Sequence, residues 1–151
     1  MRARDRVFVI ERGMPARCSP EQMMSYLLDA TSWPAWQPEI VATEGPKRVV
    51  VGDIVSGHAR MLGFHVQGRS RALEVDESVF EEDVVVGVAM RVRYEVHPEG
   101  DGCRVVHRLE SDMPRGLSGR LLSLFLRARL RRMQRTAIER LVAQSEVAEP
   151  S

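Results

Sequence analysis

The sequence contains only two cysteines, two tryptophans and one lysine, and it has no long apolar run. Cys18 and Cys103 are far apart and lack the spacing of metal ligands, which indicates free thiols in a reducing compartment. The N-terminal apolar run covers residues 7–10, too few for a signal peptide, and no run reaches the roughly 20 residues of a membrane-spanning helix. We therefore expect a cytoplasmic protein.

Several motifs of enzymes are also missing. The sequence has no nucleophile elbow, no P-loop and no Rossmann glycine pattern, and neither cysteine is flanked by an obvious base. His58 and His65 are seven residues apart, with no cysteine or carboxylate at ligand spacing, so we expect no metal site. Nothing in the sequence indicates a cofactor.

The formal net charge of +1 gives the chain no general attraction to nucleic acid or membranes. The charge is uneven, however, because residues 113–145 contain eight arginines and a single acid, Glu139. One interpretation is a solvated helix face that pairs partly with acidic residues of the sheet, such as Glu81, Glu82 and Asp83. A second is a membrane surface or an acidic partner. Nucleic acid is disfavoured, because no aromatic residues alternate with the arginines.

The N-terminal third predicts a strand followed by short helical segments. Residues 6–14 have the pattern of a strand, and Ser19 can cap a helix in which Pro20 takes the first position and Gln22 completes a capping box. The helix should end before the segment TSWPAWQPEI, residues 31–40, because a residue that precedes proline is pushed out of the helical region. Both tryptophans lie in this segment, which we interpret as a turn or one more broken helical turn.

Valine-rich runs between residues 39 and 113 predict about six antiparallel strands. Alternation places one set of residues on the inner face: Met90, Val92, Tyr94, Val96, Cys103, Val105, His107, Leu109, Ser111 and Met113. In residues 64–75 the apolar set changes parity, which predicts a bulge or bend near Gly68.

One long helix is predicted from Leu117 to about Ala143. A continuous apolar stripe runs along it: Leu122, Leu126, Leu130, Met133, Ala137 and Leu141. A second stripe is confined to the first half: Leu117, Leu121, Leu124, Phe125 and Ala128. We therefore expect two apolar neighbours at the start of the helix and one at its end. Residues 1–143 are predicted to form a single domain, and residues 144–151 a disordered tail.

Taken together, these features resemble the START-like (SRPBCC) superfamily, within it most closely the polyketide cyclase/dehydrase and lipid-transport type. The similarity rests on SPEQMMSYLLD, the segment W-P-x-W-x-P-x-I, VGDIV, the turn GDG and the long C-terminal helix. It implies an α+β helix-grip fold, in which a curved antiparallel sheet of about six or seven strands wraps around the C-terminal helix. Two short helices follow strand 1, and a cavity separates the sheet from the long helix.

The resemblance, together with the inner-face pattern, implies a set of ligand-binding residues: Trp33, Trp36, Met90, Val92, Tyr94, Val105, His107, Leu109, Ser111, Leu122, Phe125 and Leu126. The tryptophans either pack between the elements or touch the ligand. His107 either acts as an acid or base, or is a core histidine that bonds to Ser111 or Tyr94.

Three functions remain open. The preferred one is the binding of a small, mostly apolar molecule, such as a lipid, a polyketide or a related metabolite. The second is a polyketide cyclase/aromatase or dehydratase, with His107 or Tyr94 beside an inward Arg60 or Arg69. The third is a protein-interaction module that uses the apolar first half of the C-terminal helix. The chain would be a monomer or a homodimer.

Overall fold

The computed structural model describes residues 7–61, 63–112 and 117–147. One curved seven-stranded antiparallel sheet has the strand order β1-β7-β6-β5-β4-β3-β2, and a long C-terminal helix packs on it. The α+β helix-grip fold is therefore confirmed. The elements are β1 (Val7–Ala16), α1 (Pro20–Leu27), a 3-10 turn (Ala30–Ser32), α2 (Trp33–Trp36), β2 (Ile40–Glu44), β3 (Ile54–Met61), β4 (Phe64–Val75), β5 (Val79–Val86), β6 (Val88–Glu99), β7 (Gly102–Asp112) and α3 (Leu117–Val147).

The predicted cap of the first helix is confirmed. The backbone N–H of Gln22 donates to the Ser19 hydroxyl at 3.1 Å, and Pro20 occupies the first helical turn. Of the two alternatives for the segment with both tryptophans, the further helical turn is confirmed, since the segment forms the single-turn helix α2. It ends at Gln37, which has an extended backbone because Pro38 follows.

The strand alternation is confirmed, but the predicted position of the bulge is wrong. Gly68 pairs regularly with Gly57 of β3, and the register shift lies between Ala72 and Glu74. Leu73 is the extra residue at that point, so the inner face passes from Ala72 to residues of the other parity. The change of parity was therefore visible in the sequence, whereas the glycine suggested the wrong place for it.

The predicted apolar stripe of α3 is confirmed from Leu130 to Leu141, where Leu130, Ala137 and Leu141 are buried, but the prediction for the start of the helix is wrong. Leu121 is 74% exposed and Phe125 is 54% exposed, whereas Leu130 and Ile138, further along the helix, are buried. The first half therefore lacks the two apolar neighbours that we expected, and the second half has more than one. The side chain of Leu117, and Met113 before the helix, lie outside the described residues.

The C-terminal end of α3 is also longer than predicted. The helix continues to Val147, and Ser145 is fully buried. The Ser145 hydroxyl accepts a long hydrogen bond of 3.7 Å from the Cys18 thiol, and the Glu146 carboxylate accepts one of 3.0 Å from the Arg17 backbone N–H. The prediction of a disordered tail is therefore wrong for residues 144–147, and residues 148–151 lie outside the described part of the chain.

Candidate functional site

A cavity of about 90 Å³ lies between the inner face of the sheet and the second half of α3. Met133, Gln134 and Ala137 line it from α3, Trp33 lines it from α2, and residues 37–40 lie at its edge. Most of its walls are apolar side chains of β3 to β7. Six of the predicted ligand-binding residues line it: Trp33, Met90, Val92, Tyr94, His107 and Leu109.

The other six predicted residues do not line the cavity. Trp36, Val105 and Ser111 are buried in the core elsewhere. Leu122 and Phe125 are exposed, because the first half of α3 extends beyond the cavity walls, and Leu126 packs against the core. The placement of these residues around the cavity was therefore wrong.

The two tryptophans have different environments. The indole N–H of Trp33 donates to the Leu27 carbonyl at 2.9 Å, and its ring lies 6.1 Å from that of Phe80. Trp36 packs edge-on against Tyr94, with 5.9 Å between the ring centroids. Both rings therefore fill space between the short helices and the sheet, and of the two only Trp33 also reaches the cavity wall.

His107 is held in one tautomer by Gln134. The two hydrogens of the Gln134 amide nitrogen are shared among Nδ1 of His107 at 2.9 Å, the His107 carbonyl at 3.1 Å and the Ile10 carbonyl at 3.2 Å. Since this NH2 group is a donor, Nδ1 must accept, and the ring hydrogen resides on Nε2. Burial lowers the pKa of His107 to about 4, so the ring is neutral at pH 7.

Contrary to the expectation, neither Ser111 nor Tyr94 is hydrogen-bonded to His107 among the described residues. Tyr94 packs edge-on against the imidazole, with 4.8 Å between the centroids, but the Ser111 hydroxyl donates to the Asp112 carbonyl instead. The hydrogen-bond partner is Gln134, a residue whose place on the buried stripe of α3 the sequence analysis overlooked. Gln134 follows Leu130 by four residues and precedes Ala137 by three, so the helical spacing was a sufficient signal.

Glu82 is the second site residue that the sequence analysis missed. Its side chain lines the cavity, it is only 4% exposed, and Oε2 has no hydrogen-bond partner among the described residues. Burial raises the pKa of Glu82 to about 8, although a hydrogen bond from the Ser70 hydroxyl opposes the shift. The carboxyl group is therefore protonated at neutral pH. The signal in the sequence was parity, since Glu82 alternates with Phe80 and Val84.

The arginines proposed for catalysis do not enter the cavity interior. Arg60 is exposed and lies 3.4 Å from His65 on the β3–β4 hairpin. Arg69 is exposed and contributes to the edge of the cavity. Since none of the described arginines is buried, the expected pair of an inward arginine with His107 is not formed.

The proposed pairing of the arginine-rich helix with Glu81, Glu82 and Asp83 is also wrong. Asp83 pairs with Arg91 of β6 at 2.9 Å, and Glu81 lies 3.6 Å from Arg93 on the same strand.

The α3 arginines have other contacts. Arg129 binds Glu39 at 3.0 Å, and the guanidinium groups of Arg127 and Arg131 lie 5.1 and 5.3 Å from the Phe8 ring centroid. A membrane surface or an acidic partner for α3 stays a prediction, as does the monomeric or homodimeric state.

Within the described ranges, no three histidine, cysteine, aspartate or glutamate side chains are grouped so that they could hold a metal ion. The same ranges contain no helix that is long and apolar enough to cross a membrane. The compartment itself stays a prediction.

Solved structures with the same fold include proteins of two kinds. The Zhui aromatase/cyclase from Streptomyces sp. R1128 is 14% identical, with a TM-score of 0.78 over 93% of this chain and 94% of that chain. A START superfamily protein from Mycobacterium smegmatis is 15% identical, with a TM-score of 0.70 over 90% and 97%. The di-domain aromatase/cyclase StfQ of the steffimycin biosynthetic pathway is 15% identical (TM-score 0.75), and 96% of this chain matches 51% of it.

At these identities the structural similarity shows the fold alone. No curated protein matches the chain. Residues 9–146 match the family described as polyketide cyclase / dehydrase and lipid transport, which covers nearly all of the described chain. The chain therefore belongs to the polyketide cyclase/dehydrase and lipid-transport family.

Proposed function

We propose that the protein binds a small, mostly apolar molecule in the cavity between the sheet and α3. The observation that carries the proposal is a cavity with mostly apolar walls and a few polar groups, the usual composition of a small-molecule site. Lipids, polyketides and related metabolites are the candidate ligands. The family, whose description includes lipid transport, supports the same class of function.

The size of the cavity limits the ligand. Its volume of about 90 Å³ is below the roughly 150 Å³ of an engineered cavity that holds benzene. A ligand of one ring or more therefore has to widen the space on entry. Met90 and Met133 line the cavity, and their flexible side chains can change rotamer to make room.

Native mass spectrometry of the freshly purified protein, followed by solvent extraction, tests the proposal. We expect a stoichiometric extra mass that extraction removes and identifies. The matched control is Ala137→Leu, which places a larger side chain in the cavity wall and should abolish the extra mass. The same extra mass on both proteins would place the bound molecule elsewhere and overturn the proposal.

A second candidate is an enzyme, a cyclase/aromatase or dehydratase, and one observation favours it. Glu82, Tyr94 and His107 all line the same cavity, and together they offer a protonated carboxyl, a phenol and an imidazole for acid–base chemistry. The aldol adduct of acetone and benzaldehyde is a suitable probe, since loss of water converts it to a conjugated enone that absorbs in the ultraviolet. Turnover that Glu82→Gln abolishes would support the enzyme, whereas no elimination above the buffer rate would count against it.

A further inference from the structure

One oxygen of the buried Glu82 carboxyl group lacks a hydrogen-bond partner in the described part of the chain. Glu82 lines the cavity from the same face of β5 as Val84 and Val86. Ser70 donates to it, but Oε2 has no hydrogen-bond partner among the described residues. A buried polar atom without a partner is costly, and such atoms are rare in folded proteins. A partner from outside the chain is therefore expected at this point.

That partner is not an arginine of the sheet. On β6, Arg91 pairs with Asp83 at 2.9 Å and Arg93 pairs with Glu74 at 2.9 Å. On β4, the other neighbouring strand, Arg69 and Arg71 are exposed. Burial without a cation keeps the proton on Glu82 at neutral pH, because its pKa is raised to about 8. In this form the carboxyl group can donate a hydrogen bond as well as accept one.

Two other buried groups that line the cavity, Tyr94 and His107, are also donors. Tyr94 keeps its phenolic hydrogen, since burial raises its pKa well above the usual value, and the negative charge of an ionised Glu82 would raise it further. His107 offers Nε2–H, because Gln134 occupies Nδ1. Three donors therefore line one small cavity, and an oxygen acceptor on the ligand would match them.

We propose that Glu82 anchors the ligand by donating a hydrogen bond from its protonated carboxyl group to an oxygen acceptor, such as the carbonyl oxygen of a ketone or ester. The inference rests on the proposed binding function, since it names the polar end of the same ligand. A protonated amine is the competing class. It would require an ionised Glu82, and it would bring further N–H groups towards the N–H of His107.

Three probes with one shared skeleton separate these classes: acetophenone, ethylbenzene and 1-phenylethylamine. Dissociation constants from ¹H–¹⁵N NMR titration are compared among the wild type, Glu82→Leu and Glu82→Gln. The control is Asp83→Asn, the next residue on the outer face of the same strand. For each protein we take the ratio of the dissociation constants of acetophenone and ethylbenzene, and we compare this ratio between proteins. The free energy of transferring each probe out of water is the same for every protein and therefore cancels in the comparison.

We expect Glu82→Leu to shift this ratio about tenfold against the ketone, the size of one buried hydrogen bond. Ethylbenzene should still bind Glu82→Leu, which shows that the cavity is intact. Glu82→Gln, whose amide can still donate, should keep most of the preference for the ketone, and Asp83→Asn should keep all of it.

An unchanged ratio in Glu82→Leu would overturn the role of Glu82 as the anchor of the ligand and leave the proposed binding function standing. If 1-phenylethylamine binds more tightly than the other two probes and this binding depends on Glu82, the ligand is an amine, and the proposal of an oxygen acceptor is overturned. Failure of every probe to bind would overturn the binding function and the anchor together.

Discussion

Glu82 should make the protein less stable as the pH rises from about 6.5 to about 8. In the unfolded chain this carboxyl group loses its proton around its ordinary pKa of 4.5, whereas in the folded protein it keeps the proton up to about 8. Between these values the folded state binds more protons than the unfolded state, so the free energy of unfolding falls as the pH rises. The full slope is about 1.4 kcal/mol per pH unit.

His107 acts in the opposite direction at lower pH. Its pKa falls from 6.5 to about 4 on folding, so below 6.5 the unfolded state binds the extra proton. The free energy of unfolding therefore rises with pH between about 4 and 6.5, and there the two buried groups nearly cancel. Above 6.5 only Glu82 retains its slope, which makes this window the informative one.

The variant Glu82→Gln isolates the effect, because it keeps the shape of the side chain and removes its titration. Urea denaturation followed by tryptophan fluorescence at pH 6.5 and pH 8 gives the free energy of unfolding for each protein. We expect the wild type to lose about 1.5 kcal/mol more than the variant between these pH values, after allowance for partial ionisation near pH 8. The control Glu81→Gln changes the neighbouring half-buried glutamate and should keep the dependence of the wild type. Equal losses in the wild type and in Glu82→Gln would refute the assignment of Glu82 as a neutral buried acid.

Three further predictions follow from burial and hydrogen bonding. Gln134→Leu should lower the free energy of unfolding by about 1–3 kcal/mol, because it leaves Nδ1 of His107 buried without its donor. The ¹⁵N chemical shifts of the His107 ring should then no longer report a single Nε2–H tautomer, and shifts like those of the wild type would contradict the role of Gln134 in fixing that tautomer. Phe125→Ser should change the free energy of unfolding by no more than about 0.5 kcal/mol, whereas Leu130→Ala should cost about 2–5 kcal/mol, and similar costs for the two would contradict the observed burial of α3. Cys103 should react with a thiol reagent at pH 8 only after unfolding, because burial and the neighbouring Cys18 thiol raise its pKa to about 12; fast labelling of the native protein would show that this thiol is accessible.

The fold could be predicted because each element carries its own local signal. Period-two alternation in β6 and β7 identified the buried faces, and Ser19 with Pro20 identified the start of α1. The bulge was misplaced because a glycine in a strand has two interpretations. Gly68 pairs regularly with Gly57 of β3. The register shift occurs later in β4, at Leu73, where the parity of that residue is its one signal in the sequence.

The polar groups of the site were harder to predict because sequence patterns treat charged residues as exposed. Glu82 lies between two other acids, so its run reads as a solvated surface, although its parity with Phe80 is that of the core. The second difficulty is that the sequence does not show how far along α3 the sheet extends. An apolar stripe shows which side of α3 is apolar, but not where the sheet ends beneath it, so Leu122 and Phe125 were placed in the cavity and are in fact exposed.

The same burial that hides these groups determines what the cavity can recognise. Glu82 and His107 are both neutral at pH 7 because burial disfavours their charged forms, and none of the described arginines is buried beside them. A ligand would therefore meet dipoles and apolar walls, while the strongly basic face of α3 presents its charge elsewhere. Ligand recognition in the cavity and any electrostatic contact of α3 are thus separable, and a substitution at Glu82 should alter the first without altering the second.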